Sequence, residues 1–260
     1  MKAKPIVSRA GGKSRLLKYL LPMVPDTKCY VEVFGGGAAL LLAREGKGVE
    51  VYNDIDGALV NLFRQAKYHP EELCRELEMM PASRELFEER KADPGITEIQ
   101  RAASYLYLNK CSFGGLNRDF GTGTLGGGVN SSKMRWAESI RAFAARFDKV
   151  TIESESWEDL VKRYDRPHTF FFFDPPYVNS AKNVGYVSWS AEEMGRFEKG
   201  LRRIKGKWLL TTCDSPESRE IFGRYKIQPV SRANRIENRS GLKKNKQYKE
   251  LIITKGGADE

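Results

Sequence analysis

Hydrophobic positions along this chain change their period several times, and the changes trace an alternating α/β order. Cys29–Phe34 reads as a strand running into Gly35-Gly36-Gly37, and Ala38–Arg44 opens a helix. Val49–Tyr52 predicts a second strand ending at Asn53-Asp54-Ile55-Asp56, with the helical stretch Ala58–Ala66 behind it. This βαβ rhythm predicts a parallel sheet with helices on its faces. From Tyr68 to Lys110 the pattern turns helical, charged and proline-punctuated, without a buried strand. Ser112 to Asn130 is too glycine-dense for a helix and predicts a loop or hairpin. The α/β rhythm then resumes with helix Trp136–Phe147, strand Val150–Glu153 and the run Phe170-Phe171-Phe172-Phe173. A loop (Val178–Ser190), helix Ala191–Ile204, strand Lys207–Thr212 and helix Ser215–Phe222 follow, and strands Lys226–Val230 and Tyr248–Thr254 close the chain.

The four consecutive Phe residues predict a strand buried on both faces. It stops at Asp174-Pro175-Pro176-Tyr177, because neither proline can donate to a strand ladder. A buried strand therefore presents a carboxylate, rigid carbonyls and an aromatic ring at a sheet rim. Such a set can accept hydrogen bonds from a planar amino group and cover the ring that carries it.

Composition narrows the class. With 260 residues and 40% hydrophobic content the chain fits one large α/β domain, or one domain carrying an insertion. No apolar run is long enough to span a bilayer, and the four cysteines form no CxxC pair, so neither membrane nor metal is expected. Reduced thiols predict a cytoplasmic location. The net charge of +10 is concentrated. Residues 1–20 contribute +6 through Lys2, Lys4, Arg9, Lys13, Arg15 and Lys18, and residues 230–255 contribute another +6, leaving −2 for the rest. Two basic segments on an otherwise balanced chain point to a polyanionic partner.

Two further patterns carry chemistry. The strand–glycine turn–helix at Val31–Gly37 lets a ligand approach the backbone and offers free N–H groups. About 20 residues on, Asp54 stands where an acid commonly takes a ribose hydroxyl, so the pair suggests an adenosine-containing cofactor. Gly11-Gly12-Lys13-Ser14 mimics the end of a P-loop, but Val7 stands where the first glycine is required, which argues against a kinase or ATPase.

Ala10-Gly11-Gly12-Lys13, Glu32-Val33-Phe34-Gly35-Gly36-Gly37, Asn53-Asp54-Ile55-Asp56 and Asp174-Pro175-Pro176-Tyr177 follow one another in an order that resembles the Dam-type, D12 class DNA adenine-N6 methyltransferases. Tyr248–Ile253 resembles the last strand of that family. The resemblance implies a Rossmann-like α/β methyltransferase sheet and S-adenosylmethionine as methyl donor. It divides the chain into a catalytic domain of residues 1–56 and 136–260 and a mainly helical recognition insert, 57–135. It places Arg9 and Lys13 in the cofactor pocket, Glu32, Phe34 and Gly35 beside the methionine portion, and Asp54 on the ribose. Ile55 and Trp157 would sandwich the cofactor adenine. Arg9 departs from the family, which usually carries an aromatic residue there.

The same resemblance makes Asp174, Pro175, Pro176 and Tyr177 the catalytic set. The Asp174 carboxylate and the Pro175 carbonyl would accept the N6 hydrogens of an adenine flipped out of double-stranded DNA, with Tyr177 stacked on the base. Asp174 also borders the cofactor. Phe113-Gly114-Gly115-Leu116-Asn117-Arg118 resembles the recognition hairpin, with Phe113 as a wedge in the base stack and Arg118 reading a guanine in a GATC-like target. Gly114 departs from the family's usual Asn. A monomer or weak dimer is expected. The rival readings are transfer to RNA adenine or to a protein glutamine, and a catalytically silent DNA-binding homologue.

Overall fold

A computed structural model describes residues 3–9, 11–121, 133–177, 188–233 and 247–255. Its centre is a seven-stranded sheet in the order β3-β2-β1-β4-β5-β7-β6. The strands are β1 (Cys29–Glu32), β2 (Val49–Asn53), β3 (Val150–Glu153), β4 (Thr169–Phe173), β5 (Lys207–Cys213), β6 (Lys226–Ala233) and β7 (Gln247–Thr254). β3, β2, β1, β4 and β5 pair in parallel, while β7 runs antiparallel to both β5 and β6. The predicted strands are present, with β1 shorter than expected: the Val33 N–H still donates to the Phe172 carbonyl at 3.0 Å, but the Val33 carbonyl accepts from Asn53 Nδ2 at 2.8 Å.

The Phe run is central. Phe170 and Phe172 belong to one hydrophobic cluster, Phe171 and Phe173 to the other, so the strand feeds both cores at its period of two. Each ring buried in this way contributes roughly 2–3 kcal/mol. The second cluster is covered by α8 (Trp157–Tyr164), α9 (Ala191–Leu201) and α10 (Pro216–Phe222), through Leu160, Met194, Phe197, Leu201 and Phe222. α8 lies in a stretch with no predicted helix. Ser156 caps it by accepting from the Asp159 N–H at 3.1 Å.

The first cluster is covered by α2 (Ala39–Ala43), α3 (Gly57–Tyr68), α4 (Pro70–Glu78), α5 (Arg84–Ala92), α6 (Glu98–Cys111) and α7 (Lys133–Phe147). Leu62, Phe63, Leu106, Tyr107 and Phe143 join Tyr30, Tyr52 and Phe172 in one continuous core. Of the described helices of the 57–135 stretch, α3 packs on the sheet and α4, α5 and α6 pack on α3, α7 and one another, and all share the sheet's first cluster. A short helix, α1 (Leu17–Leu20), adds Leu20 to the same layer. After α6 the chain turns through Phe113–Gly115 and returns in a Ser112–Phe120 antiparallel bridge. Residues 122–132, which include most of the glycine-rich expectation, lie outside the described residues, as do 178–187 and the basic stretch 234–246. Among the described residues no helix is long and apolar enough to cross a membrane.

Candidate active site

Strand alternation builds the site. Tyr30, Phe172, Leu209 and Ile252 all point into the first cluster. Two residues from each along its strand stand Glu32 (β1), Asp174 (just past β4), Thr211 (β5) and Glu250 (β7), which therefore share that face. The face changes from apolar to polar at the C-terminal rim of the parallel strands, where α/β sheets bind ligands.

Lys13 enters this rim from the N-terminal segment, with its side chain only 5% exposed. Its Nζ lies 2.8 Å from Asp174 Oδ2 and 3.7 Å from Glu250 Oε2. It also donates to the Gly11 carbonyl at 2.7 Å and to the Tyr177 hydroxyl at 2.9 Å. The Tyr177 hydroxyl in turn donates to Glu250 Oε2 at 3.3 Å, and Thr211 donates to Asp174 Oδ1 at 2.8 Å. Burial alone would lower the Lys13 pKa, but the surrounding Asp174, Tyr177 and Glu250 raise it, so the ammonium stays charged. Asp174 is pushed up by burial and pulled back by Lys13 and Thr211, with a net upward shift. Burial raises Tyr177 and outweighs the pull of Lys13, which keeps it a neutral phenol. The Asp174 carboxylate is thereby paired and aimed by Lys13 and Thr211, with its side chain 20% exposed.

Pro175 is buried, and Pro176 and Tyr177 are half-buried. Glu32 lies 2% exposed beneath the rim and accepts from the Tyr30 hydroxyl at 2.9 Å and the Leu41 N–H at 2.8 Å. Its pKa is pushed up to about 8 by burial, against the hydrogen bonds from Tyr30 and Leu41, with Asp174 adding to the rise.

A second set lies across the ends of β1 and β2. Gly35 passes so close to β2 that an added Cβ would sit 2.2 Å from the Tyr52 ring and 2.9 Å from the Asn53 carbonyl. The Gly36 N–H donates to Asp54 Oδ2 at 2.7 Å, and the Asp56 N–H donates to Asp54 Oδ1 at 2.9 Å. Each Asp54 oxygen keeps capacity for a further donor. Ile55 beside it is 72% exposed, which removes core packing as its role. Arg9 lies across the glycine turn, its Nη2 3.1 Å from Asp56 Oδ2. Asp56 caps α3 through the Leu59 N–H and accepts from the Tyr105 hydroxyl at 3.3 Å.

A match to a family model now joins this geometry: the D12 class N6 adenine-specific DNA methyltransferases match residues 10–236. The chain belongs to this family. It is 25% identical over 276 residues to a type II methyltransferase of Lactococcus lactis subsp. cremoris, covering 98% of this chain and 96% of the relative. It is 24% identical over 268 residues to the DNA adenine methylase of Escherichia coli strain K12, covering 94% and 92%. A solved SAM-dependent methyltransferase from Agrobacterium tumefaciens aligns with TM-score 0.40 at 11% identity, covering 93% of this chain and 59% of that one.

For a D12 methyltransferase, the β1–β2 set fits S-adenosylmethionine on its own chemistry. It combines an acid with open acceptor sites, a glycine turn bordered at Gly36 by the Arg9 side chain, and an exposed aliphatic side chain at Ile55. The structure distributes the other sequence candidates more widely. Lys13, expected in the cofactor pocket, contacts Gly11, Asp174, Tyr177 and Glu250. The Trp157 ring, expected on the cofactor adenine, packs edge-on against Phe197 at 5.1 Å. It also closes over Gly200, where an added Cβ would lie 2.5 Å from the indole. Phe34 joins the same aromatic group, 5.5 Å from Trp189 and 6.0 Å from Phe197. Arg118 is exposed on the turn after α6, and its carbonyl accepts from Lys91 at 2.8 Å. The Phe113 side chain lies outside the described residues.

Thr211 and Glu250 were missed by sequence reasoning. Glu250 had a signal: it is an acid in register with Ile252 on a buried strand, where a charge demands a partner.

Proposed function

We propose that this D12 methyltransferase transfers a methyl group to N6 of an adenine flipped out of duplex DNA, with Asp174 as the group that meets the amine. The observation that carries the reading is the Lys13–Asp174 contact at 2.8 Å, on the sheet rim and backed by Thr211. The N6 lone pair is delocalised into the purine ring and is a poor nucleophile. An ionised Asp174 and the Pro175 carbonyl, accepting its two hydrogens, favour the pyramidal nitrogen that forms as the N–C bond is made. Lys13 holds the carboxylate in its ionised form and orientation. Tyr177, pinned by its hydroxyl between Lys13 and Glu250, presents a fixed ring for the base to stack on. S-adenosylmethionine would supply the methyl group from a positively charged sulfur: the S–CH3 bond would break as the N–C bond forms, leaving a neutral thioether, and one N6 proton would pass to the Asp174 carboxylate and on to solvent. Asp54 takes the ribose hydroxyls, Ile55 covers one face of the cofactor adenine, and Glu32, Phe34, Gly35 and Arg9 line the remainder of the pocket.

Because a base within a duplex cannot reach the rim, the target is extruded. Arg118 and Phe113 on the turn after α6, with the basic segments, form the DNA-facing surface. The recognised site is GATC-like, with Arg118 paired to a guanine.

The test is nucleoside mass spectrometry of duplex DNA after incubation with S-adenosylmethionine, together with sequencing of methylated positions in a methylation-free host. N6-methyladenine is expected at one short sequence, and Asp174→Ala lowers its formation by roughly 10³-fold or more. Methylation of cytosine, or wild-type rates in Asp174→Ala, would overturn the reading.

A further inference from the structure

Asn109, near the end of α6, holds together two segments that lie far apart in sequence. It is 4% exposed. Its Oδ1 accepts from the Ser8 N–H at 2.8 Å, and its Nδ2 donates to the Ser8 carbonyl at 2.9 Å, so one side-chain amide grips both polar groups of one residue. The same Nδ2 faces the Gly115 carbonyl at 2.8 Å and Asn117 Oδ1 at 3.1 Å. The amide orientation is fixed, because the Ser8 N–H can only donate.

Two amide hydrogens therefore serve three acceptors, one from the N-terminal segment and two from the turn. That turn also depends on left-handed backbone. Gly114, Gly115 and Asn117 have φ of 65°, 72° and 58°, and the Asn117 N–H is held by the Ser112 hydroxyl at 3.0 Å. Gly115 lies so near the N-terminal segment that a Cβ there would stand 2.6 Å from the Ser8 Cβ. Beyond Ser8 the chain reaches Arg9 on Asp56, a turn in which the Gly12 N–H donates to the Arg9 carbonyl at 3.1 Å, and then Lys13 on Asp174.

We infer that Asn109 is a specificity-determining positioning residue, which links the state of the 112–120 turn to the placement of Lys13 and, through it, Asp174. This rests on the reading of the turn as DNA-facing. When a base edge or phosphate takes Asn117 or shifts the Gly115 carbonyl, an Asn109 hydrogen is released to the Ser8 carbonyl. The N-terminal segment then tightens, and the catalytic carboxylate is fully set only on the correct sequence. Discrimination between sites thus resides in the methyl-transfer step as well as in affinity.

The experiment measures single-turnover methylation and duplex affinity with the full-length protein. The substrates are the site identified by sequencing and duplexes with one flanking base pair changed. Asn109→Asp, which keeps the shape but loses the donors, is expected to lower the rate on the preferred site about tenfold, with affinity within about twofold, and to narrow the rate ratio between sites. Asn117→Gly leaves both Ser8 bonds in place and suits a left-handed backbone. It is expected to fold normally and to narrow the same ratio at least threefold, which keeps the test decisive should Asn109→Asp fail to fold. Equal slowing on every duplex, or an unchanged ratio in Asn117→Gly, would overturn the inference and reduce Asn109 to a structural clamp. Arg118→Ala separates the two levels. Unchanged affinity and selectivity there would remove the turn from the DNA surface, whereas altered selectivity alongside a silent Asn117→Gly would defeat the coupling alone.

Discussion

The sheet rim and the turn after α6 both hold irregular backbone beside a ligand site, and they do so with different materials. At the rim, ions do the holding: buried Lys13 and Glu250 meet a partly buried Asp174 at the ends of the sheet strands. At the turn, neutral groups do it. Asn109 and Ser112 grip backbone atoms, and left-handed residues provide the curvature. Buried ions are costly to place and costly to disturb, which suits a group that must be preorganised for chemistry. Amide bonds of about 1 kcal/mol each can be exchanged for bonds to a ligand, which suits the DNA-facing role proposed for the turn.

Each region contains a glycine pressed against a neighbour, and substituting both tests the contrast directly. Gly35→Ala drives a Cβ into Tyr52 and the Asn53 carbonyl between two central strands, and is expected to cost about 2–4 kcal/mol in urea unfolding. Gly115→Ala meets Ser8 and requires an L-residue at φ 72°, but on an edge of the fold that can yield, so about 1–3 kcal/mol is expected. Equal costs would mean that the turn is as rigid as the rim.

Buried charge at the rim should also leave a pH signature. Glu32 has a folded pKa of about 8, well above that of an exposed carboxylate. The unfolded state therefore loses its proton first as pH rises. The associated stability is complete below about 4.5, declines through the interval up to about 8, and then levels off. Glu32→Gln should remove that decline, so unfolding curves for variant and wild type diverge by roughly 3 kcal/mol between pH 5 and 8. Parallel curves would show that Glu32 is already ionised in the fold. The smallest expected effect is at the cofactor set: Asp54→Ala should weaken S-adenosylmethionine binding about tenfold by calorimetry, equivalent to about 1.4 kcal/mol. Unchanged affinity would remove Asp54 from the ribose.

Much of this was legible in the sequence, and the exceptions have physical reasons. The Phe run and its prolines announced a buried strand and its end, because four large apolar residues leave no solvent face and proline cannot continue a ladder. The glycine turn with Asp54 was legible because its spacing follows from strand and helix geometry. Lys13 was recognised by motif, but its contact with Asp174 and Glu250 was not legible. Its partners Asp174 and Glu250 lie more than 160 residues away in sequence, and only the sheet order brings them together. Trp157 looked like a stacking ring, but sequence cannot show that Gly200 opens a slot for it on α9. Asn109 sat within a helical pattern, where a polar residue normally faces solvent, and its grip on Ser8 depends wholly on tertiary packing.

The central claim is that Lys13 holds Asp174 ionised and aligned for the incoming amine. Single-turnover methylation of adenine-containing duplex, measured from pH 5.5 to 9.5 in wild type and Lys13→Met, tests it most directly. Without the ammonium, only the Thr211 hydroxyl opposes burial at Asp174, so the acid limb of the rate profile should move to higher pH. The rate should fall at neutral pH and recover partly in alkali. An acid limb that stays in place, with any loss of rate uniform across pH, would contradict the claim.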